Sequence, residues 1–297
     1  MIDELRNWAI IMAGGAGERL RPLTRLISGD DRPKQYCPVL GRTTMLGATR
    51  ARLSASIRTD RTCCVVNRAH DIYYRRELAD LSLAQLIEQP CDRGTAAAIA
   101  YGAARLRTLD ADAIVGFFPA DHYFLHPERV RAAVVAAYAA ARRFPQFIFL
   151  LGAEADHAET DYGWIEPGHP IAEIEKAWSF RVARFWEKPV ATVASVLLER
   201  QALWNTFVMI GHVDTFRVLL RRSALPMARA FDALGATATG LEAETARQLY
   251  ASLPMWDFSR DVVEHSPESF AVIPLTRTGW TDLGRPERVT ALHSRVP

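Results

Sequence analysis

The chain has 297 residues, of which 49% are hydrophobic and 24% are charged, and its formal net charge is +2. This length allows one large domain or two modest ones, each with a well-buried core. The charge is nearly balanced and Lys and Arg are scattered along the chain, which argues against a protein held to nucleic acid by a broad basic face.

Four cysteines, Cys37, Cys63, Cys64 and Cys91, form no Cys-x-x-Cys pair. Adjacent strand residues point to opposite faces of a sheet, so Cys63 and Cys64 are interpreted as small buried hydrophobic residues, and neither a zinc site nor a disulfide framework is expected. Acidic residues near the N-terminus argue against a signal peptide, and no apolar stretch approaches the length of a membrane span. We therefore expect a soluble, cytoplasmic protein with neither a membrane nor a nucleic-acid partner.

Apolar runs alternate with amphipathic or alanine-rich stretches through the first half of the chain. The pattern predicts strands at 8–13, 61–67, 84–88, 113–118 and 147–152, and helices at 44–56, 95–109 and 127–143. Strands that alternate with helices imply crossover connections and a mostly parallel sheet. The sequence therefore predicts a doubly wound, Rossmann-like α/β sheet, in which ligands bind beyond the carboxyl ends of the strands.

The second half of the chain has a less regular pattern. It predicts strands at 163–167, 182–189 and 206–210, and helices at 214–222 and 242–253. Because no repeat, low-complexity tract or linker separates the two halves, a single domain spanning 1–297 is the simplest interpretation. In this interpretation the later segments form a smaller substrate lobe over the sheet.

A glycine-rich loop follows the first predicted strand, with Gly14, Gly15 and Gly17 leading into Arg19. Glycines allow the backbone to approach a phosphate and point its N–H groups toward it, and a guanidinium suits phosphate oxygens. A glycine cluster alone fits a tight turn equally well. This loop lacks the Lys-Ser/Thr ending of a P-loop, and it lacks the helix-opening third glycine of a dinucleotide-binding fold. Lys34 follows shortly afterwards and is either a point charge for a polyphosphate or an ordinary solvated lysine.

Two aspartates are candidate ligands for a divalent ion. Asp121 follows the apolar strand predicted at 113–118, at the edge where such sheets bind ligands. A carboxylate there suits Mg²⁺, which takes one or two carboxylates plus substrate phosphates, although an aspartate that caps a turn fits at least as well. Asp282 lies in a glycine-flanked turn, which by itself indicates only a turn.

The second half offers further polar groups for a ligand. Gly163 would let the backbone approach a ligand ring, while the neighbouring Trp164 fits a core position at least as well. Glu187 could accept hydrogen bonds from hydroxyls and Lys188 could neutralise a phosphate. Both can reach one ligand only if the strand bends near Pro189, and an exposed Glu–Lys pair fits the sequence about equally well.

Together these motifs resemble the signature of the sugar-1-phosphate nucleotidyltransferases. The resemblance rests on Gly-Gly-x-Gly-x-Arg-Leu-x-Pro-Leu-Thr from residue 14, Arg-Pro-Lys-Gln from 32, Pro-Ala-Asp-His from 119, Glu-Lys-Pro from 187, Trp-Asn from 204 and Gly-Trp-x-Asp-Leu-Gly from 279. The Pro-Lys-Gln form is most similar to the mannose-1-phosphate guanylyltransferases. The resemblance implies the nucleotidyltransferase (GT-A-like) fold, with 1–155 as the nucleotide-binding half, 156–297 as the sugar-phosphate-binding half, and no C-terminal β-helix or cupin extension.

The resemblance also implies roles for individual residues. Arg19, Lys34 and Asp121 would be catalytic, and Mg²⁺ would be held by Asp121 and Asp282. The implied nucleotide-binding set is Gly14, Gly15, Gly17, Arg19, Lys34, Glu88, Arg93, Gly94 and Thr95. The implied sugar-phosphate set is Gly163, Glu187, Lys188 and Asn205. Phe207 stands where the family usually has a glycine, so the backbone there has less freedom.

The implied reaction transfers a guanylyl group from GTP to mannose 1-phosphate and gives GDP-mannose and pyrophosphate. The acceptor phosphate is already anionic, so direct in-line attack needs no covalent nucleophile, and positioning and cations lower the barrier. Gly94 and Ala97 replace the Asn and Pro of the common guanylyl pattern, so thymidylyl or uridylyl transfer to glucose 1-phosphate is the alternative. A regulatory subunit that binds a nucleotide sugar without turnover is a further alternative, and a homodimer is a candidate assembly.

Overall fold

The computed structural model describes residues 6–237 and 241–293. Its strands are β1 (Asn7–Ala13), β2 (Thr62–Asn67), β3 (Leu86–Gln89), β4 (Ile114–Pro119), β5 (Tyr123–Phe124), β6 (Ile148–Glu154), β7 (Gly163–Ile174), β8 (Ala177–Glu187), β9 (Leu203–His212), β10 (Phe270–Leu275) and β11 (Trp280–Thr281). Its α-helices are α1 (Arg21–Ser28), α2 (Met45–Ser54), α3 (Asp71–Glu77), α4 (Thr95–Leu109), α5 (Pro127–Arg143), α6 (Ala191–Glu199), α7 (Val213–Gly235), α8 (Glu242–Ser252) and α9 (Pro286–His293).

A nine-stranded sheet forms the centre of the described part of the chain, in the order β3-β2-β1-β4-β9-β6-β10-β8-β7. By their ladder pairings seven of these strands run in one direction, and β8 and β9 run in the other. The predicted mostly parallel α/β sheet is confirmed. Because β1, β2, β3 and β4 are parallel, their carboxyl ends lie along one edge, where a ligand site is expected.

Helices cover both faces of this sheet, and alternate strand residues face the two layers. Ile10 and Cys63 pack in the layer that contains α4 and the apolar residues of α7, whereas Ile11 and Cys64 pack with α2 and α5. The two adjacent cysteines are therefore buried on opposite faces, as the alternation predicts. Burial raises the pKa of the Cys63 thiol to about 12, so this cysteine is a neutral packing residue.

Several elements of the second half differ from the sequence prediction. Strand β10 was not predicted from the sequence pattern, and its apolar run contains Pro274. The structure accommodates this proline because β10 pairs with β8 only at Ala271 and Val272, so Pro274 needs no donor on that side. The helix predicted at 214–222 is only the first part of α7, which continues past a kink at Ala224, two residues before Pro226.

A separate two-stranded ladder, β5 with β11, joins segments that are distant in sequence. Trp280 pairs with Phe124 and Thr281 pairs with Tyr123. The sequence pattern predicted neither strand, and α1, α3, α6 and α9 were also not predicted. None of the helices in residues 6–237 and 241–293 is both long enough and apolar enough to pass through a membrane.

Candidate active site

An open cleft lies at the carboxyl ends of β1, β3 and β4, with its other wall at the start of β9 and the end of β8. Its empty volume, including the mouth that is open to solvent, is about 1330 Å³. The predicted site residues that line it are Gly14, Gly15, Arg19, Gly94, Thr95, Asp121, Gly163, Glu187, Lys188, Asn205 and Asp282. A second pocket adjoins it and contains Gly17 and Lys34 together with Arg19 and Asp121.

The glycine loop after β1 has a geometry that side chains would disturb. A Cβ atom on Gly14 would lie 2.7 Å from Gln89 Oε1, and Gly17 adopts a φ of +62°, which favours glycine. Arg19 is exposed at the border of the two cavities, and its side chain makes no hydrogen bond or ion pair with any described residue. The loop therefore lets a ligand in the cleft approach its backbone closely, and the Arg19 guanidinium beside it has no partner among the described residues.

Lys34 connects the two segments that carry the predicted metal aspartates. Its Nζ lies 3.2 Å from Asp121 Oδ2 and donates a 2.6 Å hydrogen bond to the backbone carbonyl of Asp282. Asp121 follows β4 and Asp282 follows β11, so this one ammonium group joins residues that are far apart in the sequence. The structure thus brings Lys34, Asp121 and Asp282 together beside the glycine loop.

The carboxylate of Asp282 is held in place by three donors. Its Oδ1 accepts hydrogen bonds from Tyr162 Oη at 3.1 Å, Gly284 N at 2.8 Å and Arg288 Nη1 at 2.5 Å. Burial acts to raise the pKa of Asp282, but the positive charges of Lys34 and Arg288 outweigh it and hold the pKa below its ordinary value. Asp282 is therefore an ionised, fixed carboxylate at neutral pH.

His122 and Trp280 form a buried contact between the same two segments. Trp280 Nε1 donates to His122 Nδ1 at 3.2 Å, and the rings lie edge to face with centroids 5.4 Å apart. Burial lowers the pKa of His122 to about 4, so the imidazole is neutral and its Nδ1 can accept this bond. Together with the β5–β11 ladder, this hydrogen bond fixes the segment of Asp121 against that of Asp282.

The sugar-phosphate candidates also meet at one place in the cleft. Strand β8 ends at Glu187, and Lys188 adopts a φ of +48°, so the chain bends as the sequence argument required. The Glu187 and Lys188 side chains pair at 3.1 Å. A Cβ atom on Gly163 would lie 3.0 Å from Glu187 Oε2 and 3.3 Å from Asn205 Cβ, which shows how closely β7, β8 and β9 approach here. Trp164 is fully buried in the core.

Two predicted nucleotide-binding residues line neither the cleft nor the adjoining pocket. The Glu88 side chain accepts a hydrogen bond from the Tyr74 hydroxyl, and Gln89 lines the cleft instead, because adjacent residues of β3 point to opposite faces. Arg93 Nε donates to the Tyr250 carbonyl at 2.8 Å, so this side chain fixes the loop before α4. Side chains alternate between the two faces of a strand, and this alternation along β3 could have favoured Gln89 over Glu88 as the cleft residue.

Other cleft residues were missed by the sequence interpretation. They include Asp92, His122, Asp161, Tyr162, Met255, Asp257 and Ser259. Met255 and Asp257 lie in an irregular segment after α8, and Ser259 begins a short π-helix, Ser259–Val263. No periodic pattern marks these positions, so only the folded chain identifies them.

Comparisons with known proteins identify the family. A nucleotidyl transferase family model matches residues 8–296. The mannose-1-phosphate guanylyltransferase RfbM of Salmonella typhimurium is 31% identical over 93% of this chain and 56% of its own length. The xanthan biosynthesis protein XanB of Xanthomonas campestris is 29% identical over 93% of this chain and 57% of its own length. The chain thus spans somewhat more than half the length of these curated relatives.

Solved structures show the same relationship. The mannose-1-phosphate geranyltransferase from Thermus thermophilus superposes with a TM-score of 0.82 at 30% identity, covering 96% of this chain and 79% of that chain. The inositol-1-phosphate CTP transferase from T. maritima has a TM-score of 0.57 at 14% identity, covers 98% of each chain, and shares the fold. The family match over nearly the whole sequence shows that this chain belongs to the nucleotidyl transferase family.

Proposed function

We propose that the protein transfers a guanylyl group from GTP to mannose 1-phosphate and releases pyrophosphate. The observation that carries the proposal is the convergence of Lys34, Asp121 and Asp282 between two groups of candidate ligand-binding side chains. The glycine loop with Arg19 lies on one side of this convergence, and the Glu187–Lys188 bend lies on the other. The names of the curated guanylyltransferase relatives support the choice of base and sugar.

The cations of the site would act on the nucleotide phosphates. Arg19 has no other partner among the described residues and borders both cavities, so its guanidinium is available for phosphate oxygens. Lys34 lies beside it as a point charge, next to Asp121. Both groups would stabilise the charge that develops on the leaving pyrophosphate, which is the main electrostatic demand of the reaction.

The two aspartates fit a Mg²⁺ ion. No group of three or more His, Cys, Asp or Glu side chains is placed for a metal in the parts of the chain that the structure describes. Mg²⁺ does not need one, because it is usually bound by one or two carboxylates and completed by phosphates and water. An ion bound there would neutralise and orient the phosphates of the nucleotide. Asp121 and Asp282 would hold it, and the Lys34 ammonium already lies beside this acidic position.

The acceptor would bind at the other end of the cleft. Lys188 would neutralise the phosphate of the sugar, and Glu187 and Asn205 would hydrogen-bond to its hydroxyls. Their task is to align the acceptor phosphate with the α-phosphorus, since alignment of two anions is a large part of the barrier. No cysteine is needed as a nucleophile, and the thiols of Cys37, Cys63 and Cys64 are buried.

Base recognition would involve Gln89 and Asp92. Gln89 Nε2 donates to Tyr250 Oη at 3.0 Å, which leaves Oε1 beside Gly14 as an acceptor. An acceptor there can pair with the ring N–H of guanine, thymine or uracil, and adenine and cytosine lack that proton. Asp92 Oδ1 accepts from Gly94 N at 2.8 Å, and its second oxygen could accept from the 2-amino group that only guanine carries.

A nucleotide panel tests this assignment. We expect the highest kcat/KM for GTP with mannose 1-phosphate, measured as pyrophosphate release against ATP, CTP, UTP and dTTP, each with mannose and glucose 1-phosphate. Gln89→Ala should lower kcat/KM for GTP by roughly 10–100-fold, because one buried hydrogen bond of about 1–3 kcal/mol is lost. Glu88→Gln is the matched control and should leave the base preference unchanged.

Two results of that panel, and a third that adds a binding measurement, would reject the proposal. Equal rates with all five nucleotides would exclude guanine selectivity. Faster turnover of dTTP or UTP with glucose 1-phosphate would favour the alternative transferase. Binding of GDP-mannose without pyrophosphate release from any pair would identify a regulatory subunit.

Replacing Trp280 by Phe tests the contact that joins the two aspartate segments. Phe keeps an aromatic ring, although a smaller one, and removes the donor, so His122 Nδ1 is left buried and unpaired. We expect the free energy of unfolding to fall by about 1–3 kcal/mol, and kcat to fall about tenfold as the aspartates lose alignment. Denaturant unfolding and pyrophosphate release are the measurements.

Trp178→Phe is the control, because Trp178 is 50% exposed on β8. Full turnover by a destabilised Trp280→Phe would limit this contact to a structural role.

A further inference from the structure

Phe207 has a backbone conformation that an aromatic residue rarely adopts. Its φ is +57°, in the left-handed region that favours glycine and is a real outlier for a bulky side chain. The residue lies where the register of β9 against β6 shifts between Leu150 and Gly152, which is a β-bulge. Bulges of this kind change the direction in which a side chain points, and here the bulge sets the direction of the Phe207 side chain.

The neighbouring residues hold this conformation in place. Asn205 Oδ1 accepts a 3.0 Å hydrogen bond from Phe207 N. Thr206, which is fully buried, donates to the Leu151 carbonyl at 2.6 Å and accepts from Val208 N at 3.3 Å. A strained residue persists only where its surroundings fix it, and such residues cluster at ligand sites.

The Phe207 side chain lies in the cleft on the acceptor side. It lines the cavity together with Asn205, Glu187 and Lys188, and it packs against the apolar layer that contains α4. The ring packs against this layer, and a close-packed layer resists its movement away from a ligand. Glycine would suit the backbone better and would leave this space empty.

We infer that Phe207 determines acceptor specificity by limiting the size of the sugar subsite. The ring fills the space next to Asn205, so hexose 1-phosphates that carry only hydroxyls fit, and those that carry an N-acetyl group are excluded. This inference rests on the proposed function, since it concerns the acceptor of the same site. It assigns to Phe207 no part in the bond-making step.

The test compares Phe207→Gly and Phe207→Ala with the unchanged protein. Acceptors are used in matched pairs, mannose with N-acetylmannosamine 1-phosphate and glucose with N-acetylglucosamine 1-phosphate. Relative to the unchanged protein, we expect kcat/KM for the N-acetylated member, divided by that for its plain partner, to rise at least about tenfold. The gain should appear mainly in KM, and titration calorimetry of each sugar phosphate should show the same ratio without turnover. Glycine suits the observed φ, so Phe207→Gly should remain folded, and Phe207→Ala removes the ring while keeping a side chain.

A control and two outcomes decide the inference. Phe216→Leu changes a fully buried ring of α7 that does not line the cleft, and should leave the acceptor ratio unchanged. An unchanged ratio in both Phe207 variants would overturn the inference. Weaker binding of mannose 1-phosphate without a gain for the N-acetylated sugar would also overturn it, because the ring would then be a stacking surface.

The failure of this inference can be separated from failure of the proposed function. If the unchanged protein transfers guanylyl groups equally well to both members of a pair, the inference fails and the proposed function stands. If it binds plain sugar phosphates selectively, loses that selectivity in the variants and transfers no nucleotide, the proposed function fails and the inference stands.

Discussion

Replacing Asp121 or Asp282 by Asn is expected to lower kcat for nucleotidyl transfer by a factor on the order of 10²–10³. Asn keeps the shape of the side chain but removes the negative charge that a Mg²⁺ ion requires. If both carboxylates hold one ion, the second substitution should add little to the first, because residues that act as a unit are strongly non-additive. The measurement is pyrophosphate release as a function of Mg²⁺ concentration for the single variants and the double variant.

The matched control for the aspartate variants is Asp112→Asn. Asp112 is an exposed residue just before β4 that pairs with Arg6 at 2.7 Å, away from the cleft. Loss of this surface pair should leave kcat and the Mg²⁺ dependence unchanged. Additive losses from Asp121→Asn and Asp282→Asn, or full activity in either variant, would show that the two carboxylates do not share one ion.

Replacing Lys34 by Gln is also expected to lower kcat on the order of 10²–10³. The substitution removes the charge beside Asp121 and the 2.6 Å hydrogen bond to the Asp282 carbonyl, so both phosphate stabilisation and the alignment of the two segments are lost. The effect should appear in kcat more than in the KM for mannose 1-phosphate, because Lys34 lies away from the Lys188 end of the cleft. Steady-state kinetics with both substrates varied separate these effects.

The chain provides a good control for this prediction, since it has three lysines, Lys34, Lys176 and Lys188. Lys176 lies between β7 and β8, outside both cavities of the candidate site. Lys176→Gln removes the same charge from the protein and should leave kcat unchanged. A Lys34→Gln variant that keeps kcat and only raises the KM for GTP would limit Lys34 to binding the nucleotide.

The first half of the fold could be predicted closely because local signals mark its elements. Helices predicted at 95–109 and 127–143 coincide with α4 and α5, where Gly94 precedes one helix and Pro127 opens the other. The first strand, predicted at 8–13, is β1 with one added residue. Continuous apolar runs between such boundaries are typical of strands covered on both faces.

The second half could not be predicted in the same way because long-range pairing decides it. Strands β7 and β8 form a long hairpin with register shifts, and their partly exposed residues give no clean alternation. The two-residue strands β5 and β11 exist only because Trp280 and Thr281 meet Phe124 and Tyr123. Contacts between distant segments leave no periodic signal in the sequence.

The residues of the candidate site could be predicted only in part. Motif positions predicted which residues meet at the cleft, including Asp121 and Asp282, which the sequence places far apart. The supporting contacts were not predictable, because Tyr162 and Arg288 approach Asp282 only through the tertiary fold. The prediction at Glu88 assumed the wrong face of a short strand, and the structure has Gln89, one residue later, in the cleft lining.

The most direct measurement is a crystal structure of the protein with GDP-mannose and Mn²⁺, in which anomalous scattering locates the ion. We predict one strong peak within about 2–2.5 Å of a carboxylate oxygen of both Asp121 and Asp282, with the nucleotide phosphates completing the coordination. A peak bound elsewhere, or held by only one of these carboxylates while the other contacts no ion, would contradict it.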